Sequence, residues 1–218
     1  MLKYNKDSKK TWFKDCFNND DFNSNLVFYS NWEELEKPKE DVQGSTLVFY
    51  PHGNLILATD IYGEEIKIAR TETNNLLEII REKWETGEYY PLFVSEGTPH
   101  DKKKAIQSSN YLKTVYDEVL SRLNIKIKKN NNETIKIQKL VIYGWSMREQ
   151  DEHILEAIAK TDIKSIAVSI YKGELNDTDE INKKCETEQK KLQKFFNDRN
   201  KDTKIICFNS ASLGCWIY

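Results

Sequence analysis

The stretch LVIYGWSMREQDEHILEAI, residues 140–158, decides the fold class. Leu140, Val141, Ile142 and Tyr143 form a continuous apolar run, the pattern of a strand covered on both faces in a parallel sheet. Gly144, Trp145 and Ser146 then make a tight turn. Ser146 stands three residues before Glu149 in capping-box spacing, so its oxygen can accept a free helix N–H while the glutamate accepts the cap's own N–H. Ile154, Leu155 and Ile158 give the following helix one apolar face. A strand, turn and helix in this order place the turn at the carboxyl end of a parallel strand, where open α/β sheets bind ligands.

The same alternation continues downstream, with strand 139–143, helix 149–160, strand 164–171, helix 178–198 and strand 204–208. Each crossover is long enough for a right-handed βαβ unit, so this sheet is expected to be parallel. Upstream, residues 46–50 read as an apolar strand, and residues 55–58 and 65–69 flank a turn at Tyr62 and Gly63, the signature of a hairpin. Leu76, Leu77, Ile80 and Trp84 recur at helical spacing over 73–86, with Gly87 as the stop. Residues 91–94 read as a strand, 101–123 as one helix, and 124–133, rich in lysine and asparagine, as a solvated loop. Before these, 26–29 reads as a strand and 31–44 as an exposed loop. Trp12, Phe13, Phe17 and Phe22 give the opening segment the look of a short helix with an apolar side that needs a partner surface, either another protein or a second copy.

Thirty-three basic and 35 acidic residues leave a net charge of -2 over 218 residues, so no global field selects nucleic acid or an anionic membrane. No run approaches the roughly 18 apolar residues of a membrane span, and the first residues lack the apolar core of a signal peptide. Cys16, Cys185, Cys207 and Cys215 form no C-x-x-C pair, which suits reduced thiols in the cytoplasm and offers no zinc module. A cytoplasmic protein without a metal is expected.

If strands 47–50, 91–94, 140–143 and 204–208 run parallel, one sheet edge collects His52 and Gly53, then residues 95–98, then Gly144 to Ser146, then Asn209 and Ser210. A histidine, hydroxyl-bearing turns and an asparagine on one rim suit a small polar ligand such as a nucleotide. Each residue also has a structural explanation: a turn hydrogen bond for His52, positive φ for Gly144, helix capping for Ser146 and strand termination for Asn209. His100 and His153 lack partners at metal-ligand spacing, and His153 is expected on an exposed helical side. No G-x-S-x-G elbow, P-loop or G-x-G-x-x-G fingerprint is present.

Tyr50-Pro51-His52-Gly53 resembles the strand-end His-Gly of the sirtuin-like superfamily, Tyr143-Gly144-Trp145-Ser146 resembles its later Gly-x-Ser turn, and Asn209 resembles the asparagine that ends its last apolar strand. With residues 90–98 and 144–154 added, the likeness spans about 46–215 and points to a bacterial branch of unknown function. The resemblance implies a Rossmann-like, mainly parallel sheet with helices on both faces. It also implies an aromatic and charged segment over 1–45 ahead of a partial sirtuin-like α/β domain over 46–218.

The resemblance further implies NAD as ligand, with His52 as general base toward the nicotinamide ribose. Gly53, Gly144 and Ser146 would lie near ribose or phosphates, and Asn209 near the adenosine. Imidazole titrates near neutrality and can take a ribose hydroxyl proton as the bond to nicotinamide breaks. Family members open with a Gly-rich turn that cradles the pyrophosphate, whereas the first glycine here is Gly44. The expectation is therefore the C-terminal part of an NAD-binding or NAD glycohydrolase protein, with low NAD affinity and weak or no activity alone. The cysteines do not match the zinc ribbon of protein deacetylases, which moves the expectation toward a zinc-free NAD hydrolase. A non-catalytic interaction module, or a degenerate remnant of the same fold, is the alternative.

Overall fold

The computed structural model describes residues 11–19, 26–36, 44–70, 75–123, 125–129, 133–137, 139–173, 175 and 177–212. The chain divides into two compact units, Met1–Tyr116 and Asp117–Tyr218, each with its own sheet and mixed α/β content.

The N-terminal unit opens with β1 (Thr11–Lys14), β2 (Phe17–Asn19) and β3 (Leu26–Phe28), followed by a 3-10 turn over Trp32–Glu36 and β4 (Gly44–Leu47). It continues with β5 (Gly53–Asp60), β6 (Glu65–Lys67), α1 (Leu76–Glu85), β7 (Tyr89–Phe93), α2 (Pro99–Gln107) and α3 (Asn110–Thr114). The expected hairpin is β5 and β6: the Asp60 carboxylate accepts the Tyr62 and Glu64 N–H groups at 2.9 and 2.7 Å, and Gly63 takes the left-handed φ of +86°. Helix α1 is capped by Asn75, whose side chain accepts the Glu78 N–H at 3.0 Å, and Gly87 follows its end at φ +71°.

The expected mainly parallel sheet is overturned here. Strands run in the order β2-β3-β6-β5-β7, all antiparallel, while β4 pairs in parallel with β1 as a separate two-stranded sheet. A short hairpin loop forces antiparallel pairing, and β7 closes the edge with Pro91, a residue that edge strands tolerate because it donates no ladder hydrogen bond. An apolar run such as 91–94 carries no information about direction.

The sheet is buried on both faces. Ala58, Ile66 and Ile68 pack with Ile79 and Ile80 of α1. On the other face Tyr111 of α3 contacts Phe17 and Phe28, each at a ring separation of 5.1 Å, and its N–H donates to the buried Glu65 carboxylate at 2.6 Å. Phe17 is thus a core residue at 6% exposure, not part of a surface awaiting a partner. Phe22 and the side chains of Trp12 and Phe13 lie outside the described residues. The expected opening helix is also replaced by β1 and β2, hinged at Cys16 with φ +64°.

The single helix expected over 101–123 breaks at two serines. The Ser108 hydroxyl donates to the Ala105 carbonyl at 2.7 Å, and Ser109 starts α3 by accepting the Leu112 N–H at 3.0 Å. Serine competes with the helical ladder in this way and is favoured at caps. The chain then passes through a π-helical turn, Val115–Val119, and a 3-10 turn, Leu120–Arg122.

The C-terminal unit holds a hairpin of β8 (Ile125–Lys129) and β9 (Glu133–Ile137) where a loop was expected. Alternating isoleucine and lysine supplies the period-2 pattern of a strand. Then come β10 (Lys139–Ile142), α4 (Glu152–Ala159), β11 (Ser165–Ile170), α5 (Thr178–Asn197) and β12 (Lys204–Asn209). Strands β10, β11 and β12 pair in parallel in that order, as the alternating pattern predicts.

Helices on both faces of this sheet were expected, and the burial pattern corrects that. The row Ile142 and Val168 is buried, whereas the next row leaves Val141 at 64% and Ile206 at 41% exposure. Consecutive, adjacent strands joined by right-handed crossovers bring their helices to one side, which accounts for the asymmetry. No helix among the described residues is long and apolar enough to cross a membrane.

The fold makes a prediction about alkaline stability. Burial, helped by the Asp15 carboxylate, pushes the Cys16 thiol up to about 12 from an ordinary 9.0. Burial also raises the Tyr111 phenol, against the lowering effect of the hydrogen bond from Tyr50. A raised acid pKa contributes stability that is complete below the unfolded value and is lost as pH rises toward the folded one. Stability is therefore expected to fall between pH 9 and 12 by about 1.4 kcal/mol per pH unit through Cys16, with Tyr111 adding its own loss only above pH 10. Urea midpoints measured from pH 8 to 10.5 check this: Cys16→Ala should fall less steeply than the unaltered chain, and equal slopes would contradict it.

Candidate functional site

A cleft of about 490 Å³ lies at the carboxyl edge of the three parallel strands of the C-terminal unit. The loop after β10 contributes Tyr143 to Met147, the end of β11 contributes Ser169, Ile170 and Tyr171, α5 contributes Lys184 and Glu188, and Ser210 follows β12. Its position is the one that open α/β sheets use for ligands, and its size falls within the ordinary range for small-molecule sites.

Backbone geometry fixes the first wall. Gly144 takes φ +74°, and a Cβ there would meet nothing within 4 Å, so glycine is required by conformation rather than by space. Its N–H donates to the Ser169 hydroxyl at 3.1 Å, tying the β10 turn to the central strand. The Tyr143 hydroxyl donates to the Ser210 carbonyl at 3.0 Å, and the Ser210 N–H donates to the Ile170 carbonyl at 3.0 Å, so the ends of all three strands are held together. Trp145 donates its indole N–H to Asp151 at 3.3 Å.

Ser146 does not cap the helix. Met147 takes φ +48° with its side chain buried, and this second left-handed residue turns the chain outward before a 3-10 turn at Glu149–Asp151 leads into α4. Asp151 is the cap position of α4 and makes no side-chain capping bond. Ser146 is consequently an exposed hydroxyl on the cleft rim. Later helix entry also places His153 in the core at 2% exposure, where an exposed position was expected.

The remaining predicted residues are distributed differently. Asn209 ends β12, and its side-chain oxygen accepts the Ala211 N–H at 2.9 Å in an Asx turn, while its neighbour Ser210 forms cleft wall. His52 and Gly53 belong to the N-terminal unit and enter the antiparallel strand β5, so the premise that one parallel sheet edge carries them with Gly144 fails. The Val94 N–H donates to the His52 carbonyl at 2.8 Å. Gly53, at φ +69°, has no room for a side chain: a Cβ would lie 2.0 Å from the Leu92 carbonyl oxygen.

The family model described as Domain of unknown function (DUF4917) matches residues 1–216. The chain belongs to this family. No curated protein and no solved structure matches it. The family description carries no activity.

Among the described residues lining the cleft, Lys184 is the one cation, and its Nζ donates to the Tyr171 carbonyl at 2.7 Å. Glu149, Asp151 and Glu152 crowd the entry to α4, where they oppose a phosphate at that helix end. Burial pushes the Cys207 thiol of β12 up to about 11 and also raises Cys185 of α5, so both stay protonated near neutrality and neither is an activated nucleophile. Among the described residues no group of three or more His, Cys, Asp or Glu side chains is placed to hold a metal ion.

Sequence reasoning missed the end of β11 and the α5 side chains. Residues 164–171 read as a strand from sequence, and in the structure the carboxyl end of that strand forms part of the cleft wall. Lys184 and Glu188 stand four apart on α5, a spacing that puts both on one helical face, but only the packed sheet reveals that this face borders the cleft.

Proposed function

We propose that this DUF4917 chain is an NAD-binding protein of NAD glycohydrolase type whose nucleotide site is the cleft of the C-terminal unit. The observation that carries the reading is the location of that cleft, at the carboxyl ends of the consecutive parallel strands β10, β11 and β12. The parallel run from β10 to β12 supports the reading, and the likeness to the sirtuin-like superfamily supplies NAD as the ligand.

The residues fit the nucleoside part of such a ligand better than its pyrophosphate. Tyr143, Trp145 and Tyr171 offer ring surface for a base, and Ser146, Ser210 and Glu188 offer partners for ribose hydroxyls. Lys184 is the group that could meet a phosphate. One cation beside an acidic helix entry favours weak NAD binding. The resemblance assigns the general-base role to His52, which stands in the N-terminal unit and is not among the residues lining the cleft, so its part in the reaction is proposed separately from nucleotide binding in the cleft.

Nicotinamide release from NAD, followed by chromatography, tests the proposal. The expected result is slow release that falls at least about 100-fold in His52→Ala, the scale of a general base. Equal rates in the two proteins would remove His52 from the mechanism. NAD binding without release would retain the site and leave the chain a non-catalytic binding module.

A further inference from the structure

We infer that Glu188 is the ribose-diol acceptor of the cleft and selects nucleotides with a free 2′-hydroxyl over those carrying a 2′-phosphate. The inference rests on the nucleotide-binding reading of the cleft and adds its specificity.

The two charged side chains on the cleft wall are in different states. Lys184 already donates to the Tyr171 carbonyl at 2.7 Å. Glu188, one helical turn further along α5, is half-buried in the wall and has neither a hydrogen bond nor an ion pair among the described residues. A carboxylate accepts through two oxygens and donates nothing, so it asks for a ligand rich in donors. A vicinal diol offers two O–H donors at the separation of two carboxylate oxygens and brings no charge of its own. A cationic donor would also satisfy Glu188 but would meet the Lys184 ammonium on the same wall. The hydroxyls of Ser146 and Ser210 extend the polar rim around the same space.

Charge then sets the discrimination. A 2′-phosphate would place a dianion against the carboxylate, while removing the 2′-hydroxyl would deprive the carboxylate of a donor; hydrogen bonds to charged groups are the stronger kind. Both changes are expected to weaken binding by about tenfold or more.

The test compares 5′-AMP, 2′-deoxy-5′-AMP, adenosine 2′,5′-bisphosphate and NAD by amide-shift titration of the full chain and of Glu188→Gln. In the unaltered chain 5′-AMP should bind about tenfold more tightly than the deoxy and bisphosphate forms. In Glu188→Gln, with an unchanged circular dichroism spectrum, the preference over the bisphosphate should shrink to within about threefold, because the repelling charge is gone. Equal binding of the three mononucleotides, or an unaltered ranking in Glu188→Gln, overturns the role of Glu188 and leaves the nucleotide reading standing. The predicted ranking with no binding of NAD upholds Glu188 and overturns NAD as the ligand. Binding of none of the four overturns both.

Discussion

Gly53→Ala is expected to cost about 4 kcal/mol, a large share of a domain's stability, whatever role His52 beside it performs. The added Cβ would stand 2.0 Å from the Leu92 oxygen and 3.0 Å from the Phe93 Cα. Both are backbone atoms of β7, so no rotamer change can relieve the overlap, and the β5–β7 pairing must open where Gly53 faces Phe93. The φ of +69° adds about 1–2 kcal/mol for any residue with a Cβ. Overpacking against a strand adds about 1–3 kcal/mol more. Gly63→Ala is the matched control: it shares a positive φ of +86°, but its Cβ would meet nothing within 4 Å, so it should cost only about 1–2 kcal/mol. Urea unfolding of the two variants should separate them clearly. Equal midpoints would mean that the close approach of β5 and β7 is not tight.

The second large effect is expected at Tyr111. Its ring is fully buried between Phe17 and Phe28, its hydroxyl accepts the Tyr50 N–H at 2.9 Å, and its own N–H donates to Glu65. Tyr111→Ala deletes the ring and leaves a cavity, a change that costs about 3–5 kcal/mol for buried aromatics. Tyr111→Phe keeps the packing and removes only the acceptor for the Tyr50 N–H, at a cost of about 1–3 kcal/mol. Whole-domain stabilities of about 5–15 kcal/mol make the first change close to disabling and the second tolerable. Thermal unfolding should rank the unaltered chain above Tyr111→Phe and Tyr111→Phe above Tyr111→Ala. A Tyr111→Ala variant as stable as Tyr111→Phe would show that the α3 contact contributes little.

Sequence periodicity was legible where each element has a single covered face. The βαβαβ run from β10 to β12, the β5–β6 hairpin and α1 follow from apolar spacing and turn residues alone. Strand direction was not legible upstream, because residues 46–50 and 91–94 are apolar runs whose partners lie far away in the chain. The pairing of β7 with β5 and of β4 with β1 is set by tertiary packing. Helix ends shifted for local reasons: Ser108 and Ser109 divide a long apolar pattern, and the left-handed Met147 delays α4 past the Ser146–Glu149 capping spacing.

The site was legible by halves for the same reasons. Gly144 and Ser146 line the cleft because the loop that carries them follows a parallel strand, although α4 starts later than the capping spacing predicts. Ser169, Tyr171, Lys184 and Glu188 carry no local motif, and they become cleft residues only through the parallel register of β11 and the packing of α5. Gly53 shows the converse. Its His-Gly dipeptide resembles a ligand motif, while its geometry gives a sufficient structural reason for glycine.

The carboxyl edge of β10, β11 and β12 is proposed to hold a nucleotide. Titrating the isotope-labelled full chain with NAD and following backbone amide shifts tests it most directly. Shifts that saturate and concentrate at Gly144 to Met147, Ser169 to Tyr171 and Ser210, and that are lost in Glu188→Lys, are the predicted result. An unchanged spectrum at millimolar NAD, or shifts confined to residues away from these three strand ends, would contradict it.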